Sequence, residues 1–264
     1  MTRLTSEQIA RFYDDGYLIL RQRVTPATCA ALREIVSAQL QSVTTDTANT
    51  SAPVEYEADV GYAGAPASRE APGGRTVRRL RGAWQRHQLL QQWAADPELV
   101  ATLGQLFDQP VVLNLAHHNC VMTKHPDWGT ATGWHRDIRY WSFAHADLIT
   151  VWLALGPENA GNGGLQVLPG SHRWQVAPQQ RDALDFLRPD LPQNQALMAQ
   201  GVTLSLGEGD VLLFHSSLFH AAGANLSGQR KFSVAFAYRG ADNLPLAGSR
   251  SAAAGEIALD GSTE

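Results

Sequence analysis

A mainly β fold, with helices leading into an antiparallel sandwich or barrel, is predicted by three features of the sequence. From Pro110 onward the chain is a succession of short apolar runs, VVLNLA, NCVMTK, DLITVWLAL, GLQVLP, GVTLSL, DVLLFH and KFSVAFAYR, separated by Gly, Pro, Asn and Asp. No helical pattern alternates with these runs in the way a parallel sheet requires. Ahead of them, apolar residues recur at helical intervals between start and stop signals.

Taken in order, Thr5-Ser6-Glu7-Gln8 has the spacing of a capping box, and Ile9, Phe12 and Tyr13 continue one helical face until Gly16 ends it. YLIL, at 17–20, reads as a short buried strand. Thr25-Pro26 opens a second helix through Leu40, with Leu32, Ile35, Val36 and Leu40 on one face. Residues 41–75 are rich in Ser, Thr, Ala, Gly and Pro and read as a long loop, either a functional lid or disordered, and a lid ordered only on ligand binding would satisfy both. VRRLRGAW follows, then a helix near Asp96–Phe107 started by Asp96-Pro97. An irregular or helical insertion at roughly 177–198 interrupts the β half, and SRSAAAGEIALDGSTE reads as a loose tail. The expectation is one domain over 1–264: helical support to about 108, a core from about 109 to 240, a flexible loop at about 41–75 and a tail from about 248.

Composition narrows the function. Charged residues are 17% and hydrophobic ones 44% of the 264, against a usual charged share of about 25%, which suits a folded enzyme with a sizeable core. A formal charge of −4 gives no reason to expect nucleic acid or an anionic membrane as partner. MTRLTSEQIARFYDDGY is amphipathic and does not read as a signal peptide. No run of roughly 18 apolar residues stands ready to span a bilayer. Cys29 and Cys120 make neither a disulfide framework nor a zinc ribbon and read as two buried thiols. A cytoplasmic protein acting on a small molecule is expected.

The chemistry centres on GWHRDIRYW. His135 and Asp137 stand at i and i+2, which on a strand puts both side chains on one face, about 7 Å apart along the backbone. A catalytic metal needs a third ligand. His117, His118, His125, His145, His172, His215 and His220 are the candidates; His220 stands out because it follows DVLLFHSSLF and precedes the turn-like AAGAN. His215, five residues earlier on what reads as one strand, would face the other way. Two histidines and one carboxylate form the facial triad of non-haem Fe(II) oxygenases, with open coordination positions.

The surroundings of these residues resemble the phytanoyl-CoA dioxygenase family of iron- and 2-oxoglutarate-dependent oxygenases. LTSEQIARFYDDGYLIL is similar to the family's opening helix and strand. The likeness strengthens through GWHRDIRYWSFAHADLITVWLAL, NGGLQVLPGSH and HAAGANLSGQRKFSVAFAY, covering all but the 41–75 loop and the tail. It implies a double-stranded β-helix, a jelly-roll or cupin-like barrel, with Fe(II), 2-oxoglutarate and O₂ as cofactor and cosubstrates. His135, Asp137 and His220 match the family's iron ligands. Arg230 matches the residue that pairs with the far carboxylate of 2-oxoglutarate, although it falls ten residues past His220 where the family usually shows eleven; Lys231 is the alternative. Trp152 aligns with a tryptophan that walls the cosubstrate pocket, and Arg79 lies near a basic residue for the 1-carboxylate, with Arg78 and Arg81 as competitors. The family often has a serine two residues after the distal histidine; here Ala222 stands there.

What the resemblance implies is oxidation of an unactivated C–H bond. Members that halogenate carry a small residue in place of the carboxylate, so Asp137 points to hydroxylation, desaturation, ring closure or epimerisation. Arg139, Tyr140, Trp141 and the 41–75 loop are the expected pocket walls, favouring a medium-sized organic substrate such as a bacterial natural-product intermediate. Asn162-Gly163-Gly164 and Pro169-Gly170-Ser171 read as turns, and His172 as a structural hydrogen-bonding residue. Two other classes compete: a cupin-type isomerase or hydrolase using zinc or manganese without 2-oxoglutarate, and a non-catalytic jelly-roll binding protein.

Overall fold

The computed structural model describes residues 3–45 and 53–259. Its elements run α1 (Ser6–Asp15), β1 (Tyr17–Leu20), α2 (Pro26–Thr45), β2 (Val54–Tyr56), β3 (Val77–Arg81), α3 (Ala83–Arg86), α4 (Gln88–Ala94), α5 (Pro97–Phe107), β4 (Val111–Lys124), β5 (Thr132–His135), β6 (Leu148–Ala154) and β7 (Leu165–Val167). They continue with α6 (Pro192–Met198), β8 (Val202–Thr203), β9 (Val211–His215), β10 (His220–Ala222), β11 (Lys231–Gly240), α7 (Arg250–Ala253) and β12 (Glu256–Leu259). The strands form two antiparallel sheets, ordered β1-β9-β6-β11-β4-β3-β2 and β5-β10-β7-β8, with β12 added alongside β4. The architecture is a double-stranded β-helix with helices against the larger sheet.

Local chemistry explains the leading elements. The Thr5 hydroxyl accepts from the Gln8 backbone N–H while the Gln8 side chain accepts from the Thr5 N–H, closing both ends of the α1 capping box. Gly16 ends the helix in the left-handed region and turns the chain into β1. Asp96 caps α5 by accepting from the Leu99 N–H, with Pro97 at its first position.

Strand alternation divides the core in two. Val151 and Leu153 of β6, with Val234, Phe236 and Tyr238 of β11, face the helices and pack among Leu32, Leu99 and Leu103. The opposite parity, Trp152 and Ala154 of β6 and Ala235 of β11, faces the smaller sheet and meets Leu165, Val167 and Phe214. The site lies in this second layer, between the sheets.

Three expectations need correction. The 41–75 stretch is not one loop: α2 runs on to Thr45, β2 pairs with β3, and the excursion from 57 to 76 is tied at its base by the Glu57 N–H donating to the Thr76 carbonyl. The part of that expectation falling on 46–52 lies outside the described residues. The tail is also structured up to Leu259: β12 pairs with Val111–Asn114, the stretch of β4 beside which β3 does not run. Four residues of a strand behind an alanine-rich turn give too short a pattern to read from sequence. Finally, His215 and His220 lie on different strands in different sheets, so counting residues between them says nothing of their facing. His215 stands beside His172, with ring centroids 5.3 Å apart.

Candidate active site

His135 is the last residue of β5, and Asp137 opens a short 3-10 turn after it, so the pair is set by a strand end and a turn rather than by two positions of one strand. His220 opens β10 and is the register partner of His135. That pairing sets two imidazoles side by side, with centroids 4.2 Å apart, and the turn swings the carboxylate beneath them. Asp137 Oδ1 lies 3.7 Å from His135 Nε2 and 3.6 Å from His220 Nε2. All three residues are buried, and one ligand atom from each lies within 4.8 Å of the others.

The hydrogen bonds fix which atoms face inward. His135 Nδ1 lies 2.9 Å from the Gly133 carbonyl and His220 Nδ1 3.1 Å from that of Leu218. A carbonyl only accepts, so each Nδ1 carries a proton, and in the neutral ring Nε2 is then the nitrogen that presents a lone pair. Asp137 Oδ2 accepts from the Thr150 hydroxyl at 3.1 Å and lies 3.2 Å from His118 Nδ1, whereas Oδ1 has no hydrogen-bond partner. His135 Nε2, His220 Nε2 and Asp137 Oδ1 thus converge as three potential ligand atoms. Burial pushes the Asp137 carboxyl up, but His118, His220, His135 and the Thr150 hydroxyl outweigh it and hold the group below the usual carboxylate range. Burial, reinforced by His220, pushes His135 well down, which keeps its lone pair free. This buried donor set fits a divalent transition metal.

His118, one of the candidate third ligands, instead stands beside the Asp137 carboxylate, and a backbone irregularity delivers it there. Between Asn114 and Asn119 the register of β4 against β11 shifts, and His117 adopts a φ of 60°. The excursion turns His118 toward Asp137, where burial pushes its pKa down to about 4. Trp141, expected to wall the pocket, instead sits in the core with its indole N–H on the Ala116 carbonyl, edge-on to His118.

Beside the three donors lies a cavity lined by Arg78, Arg79, Lys124, Trp152, Leu165 and Lys231, among others. Both arginines of the β3 pair reach it. Arg78 donates to Glu57 at 2.9 Å, to the Thr130 carbonyl and to the Thr132 hydroxyl; Arg79 lies 3.3 Å from Glu55 and 3.0 Å from His117 Nε2. Arg81, partly exposed, pairs with Glu55 from outside. The placing of Arg230 differs from expectation: it is exposed and lines two outer clefts, not this cavity. The next residue, Lys231, begins β11 on the inward parity shared with Ser233 and Ala235 and takes the place eleven residues after His220. Its ammonium donates to Glu158 at 2.8 Å. The other Glu158 oxygen accepts from the Ser233 hydroxyl at 2.6 Å and the Trp152 indole N–H at 3.0 Å. Lys124 and Glu158 carried no sequence signal, since Lys124 meets the cavity through strand pairing and Glu158 reaches Lys231 from a returning loop.

Aromatic groups cover the other side of His135. Phe186, from the 177–198 insertion, stands edge-on to His135 at 5.3 Å and to Tyr62 at 5.1 Å. Arg139 lies over both Phe186 and Tyr140, and the Tyr62 and Tyr140 hydroxyls are 3.4 Å apart. His172 stands elsewhere, with Nε2 donating to the Tyr13 carbonyl.

Two imidazoles and a carboxylate at the junction of two strands of a double-stranded β-helix define a class, the cupin-fold proteins with a non-haem metal site. Within that class the chain belongs to the phytanoyl-CoA dioxygenase (PhyH) family, whose profile matches residues 12–233. It is similar to the peroxisomal phytanoyl-CoA dioxygenase of Rattus norvegicus, 28% identical over an alignment of 170 residues that covers 59% of this chain and 47% of the relative. It spans about half the length of the curated relatives it matches. Among solved structures it resembles EctD from S. alaskensis with 2-oxoglutarate and 5-hydroxyectoine, at TM-score 0.71 and 20% identity, covering 92% of this chain and 78% of that one. It also resembles SnoN, a non-haem α-ketoglutarate-dependent epimerase from nogalamycin biosynthesis, at TM-score 0.66 and 19% identity, covering 89% and 80%. Among the described residues no helix is long and apolar enough to cross a membrane.

Proposed function

We propose that the protein is a non-haem Fe(II)- and 2-oxoglutarate-dependent oxygenase that oxidises a C–H bond of a medium-sized organic molecule. The observation that carries this reading is the buried convergence of His135 Nε2, His220 Nε2 and Asp137 Oδ1 beside a cation-lined cavity. These atoms would hold Fe(II) on one face and leave the remaining positions to a chelating 2-oxo acid and O₂. The bound metal and cosubstrate supply the oxidising power.

The chain's own residues would bind, orient and shield. Thr150 and His118 hold Asp137 Oδ2, so that Oδ1 alone is presented. Trp152 walls the cosubstrate side, and the cationic lining of the cavity suits a dicarboxylate. Tyr62, Tyr140 and Phe186 exclude water on the other side and would contact an organic substrate through ring faces and edges. The retained carboxylate supports oxygen chemistry rather than halogenation. A tailoring step in bacterial secondary metabolism, whether hydroxylation, desaturation, ring closure or epimerisation, is the reading we favour; the likeness to a nogalamycin epimerase supports it.

The test is anaerobic reconstitution with Fe(II) and 2-oxoglutarate. The expected result is a weak charge-transfer absorption band near the green that vanishes in Asp137→Ala, with slow succinate formation once air is admitted. A protein that binds Fe(II) yet develops no such band and leaves 2-oxoglutarate unconsumed is a different metalloenzyme.

A further inference from the structure

Four cations line the cavity beside the metal-ligand set, and three of them are already engaged. Arg78 is held by Glu57, the Thr130 carbonyl and the Thr132 hydroxyl. Arg79 faces Glu55 and His117. Lys231, at the inward start of β11, is met by Glu158, whose carboxylate also takes the Ser233 hydroxyl and the Trp152 indole N–H. Glu158 therefore supplies from within the chain what a ligand carboxylate would supply at that place. It accepts three hydrogen bonds and is 1% exposed. A second carboxylate on Lys231 would have to displace it from all three donors or lie against a like charge, and either is costly in a buried site.

Lys124 is the remaining cation. It ends β4 as the register partner of Lys231, is 9% exposed, and its ammonium has no hydrogen-bond or ion-pair partner among the described residues. Two glycines make room for its stem. A Cβ at Gly163 would lie 3.0 Å from Lys124 Cδ and Cε, and one at Gly129 2.9 Å from Cγ; Gly163 also has a φ of 71°. Those glycines thus do more than turn the chain. Burial, with Arg78 and Lys231 nearby, pushes the lysine down to about 7.

We propose that Lys124, not the cation at the start of β11, receives the far carboxylate of the 2-oxo acid cosubstrate, while Glu158 keeps Lys231 as a neutralised wall. The assignment rests on the 2-oxoglutarate reading above. Charge balance agrees with it: a divalent metal with Asp137 leaves one positive charge for the near carboxylate, and Lys124 offers one for the far carboxylate.

The test is calorimetric titration of the Mn(II)-loaded protein with 2-oxoglutarate and with 2-oxobutyrate, which shares the chelating head and lacks the far carboxylate. Wild type should bind 2-oxoglutarate about tenfold or more tighter than 2-oxobutyrate, the usual scale for a charge-assisted contact. Lys124→Met should remove that preference, leave 2-oxobutyrate affinity unchanged and melt no lower than wild type. Lys124→Arg should restore part of the preference. The paired variant Glu158→Gln/Lys231→Met, which leaves no orphaned charge, should keep it. Retention of the preference in Lys124→Met, or its loss in the paired variant alone, overturns the assignment. If Mn(II)-loaded wild type binds neither acid, the 2-oxoglutarate reading falls and the assignment with it.

Discussion

Asp137 is useful to a metal only if one oxygen is held back and the other is free, and a single hydroxyl contributes much of that division. Thr150→Val keeps the shape of the side chain and removes the hydrogen bond to Oδ2. Metal affinity, read by Mn(II) titration, should fall roughly 10- to 100-fold, the usual range for losing a group that orients a ligand. An unchanged affinity would mean that His118 alone fixes the carboxylate. Lys124 gives a second prediction at this scale. Its ammonium must be protonated to attract a carboxylate, and in the free protein it loses its proton near pH 7. Burial, then Arg78 from β3 and Lys231 from β11, hold its pKa down, and Glu57 and Glu158 oppose them. Affinity for 2-oxoglutarate in the Mn(II)-loaded protein should therefore be level below about pH 7 and decline above it. Lys124→Arg, charged throughout, should flatten the curve. The histidine–aspartate pair and His220 were legible in the sequence because they sit inside a long ordered pattern. Thr150, Lys124, Glu158 and the part that the candidate His118 plays beside Asp137 were not, because each acts across a strand pairing or a loop return that residue spacing does not encode.

At the scale of elements, β4 behaves as two strands joined by an irregularity. Its second half is flanked by β3 and β11, its first half by β12 and β11, and the break between them carries His118 to the site. The strand was legible as VVLNLA and NCVMTK, two apolar runs, and the histidines between them gave no hint of their direction. β12 was invisible, yet it carries a buried ion pair: Glu256 takes both Arg239 Nε and Nη2 at 2.7 Å, and the Arg239 side chain is 5% exposed. Among the described residues, Glu256→Ala leaves that guanidinium with only the Gly240 and Ala241 carbonyls. It should cost about 1–3 kcal/mol and lower the melting temperature by roughly 2–10 °C, measured by calorimetry. No change in melting would mean that β12 adds nothing to the barrel's stability.

At the scale of the whole molecule, the two sheets supply a rigid frame, and two excursions from it meet over His135. One runs from 57 to 76 and contributes Tyr62; the other, the 177–198 insertion, contributes Phe186. The frame was legible because strand alternation repeats along the chain. The meeting of the excursions was not, since neither has a repeating pattern and more than a hundred residues separate them. Their contact is slight, one edge-to-face ring pair, and Tyr62 is otherwise met by the Tyr140 hydroxyl at 3.4 Å and by the Arg78 guanidinium over its ring. An aromatic pair of this kind contributes about 0.5–1.5 kcal/mol beyond its buried area, which is small against the stability of a barrel and large against the opening of a surface segment. Tyr62→Ala should thus separate the two. Hydrogen exchange in residues 57–76 should quicken by roughly 2- to 10-fold, while the amides of β6 and β11 exchange as before. Uniform acceleration through both regions would show that the cover is part of the barrel's cooperative unit. No acceleration would show that the ties at the base, Asp59 with Arg69 and the Glu57 N–H on the Thr76 carbonyl, hold the segment closed without help from the aromatic contact.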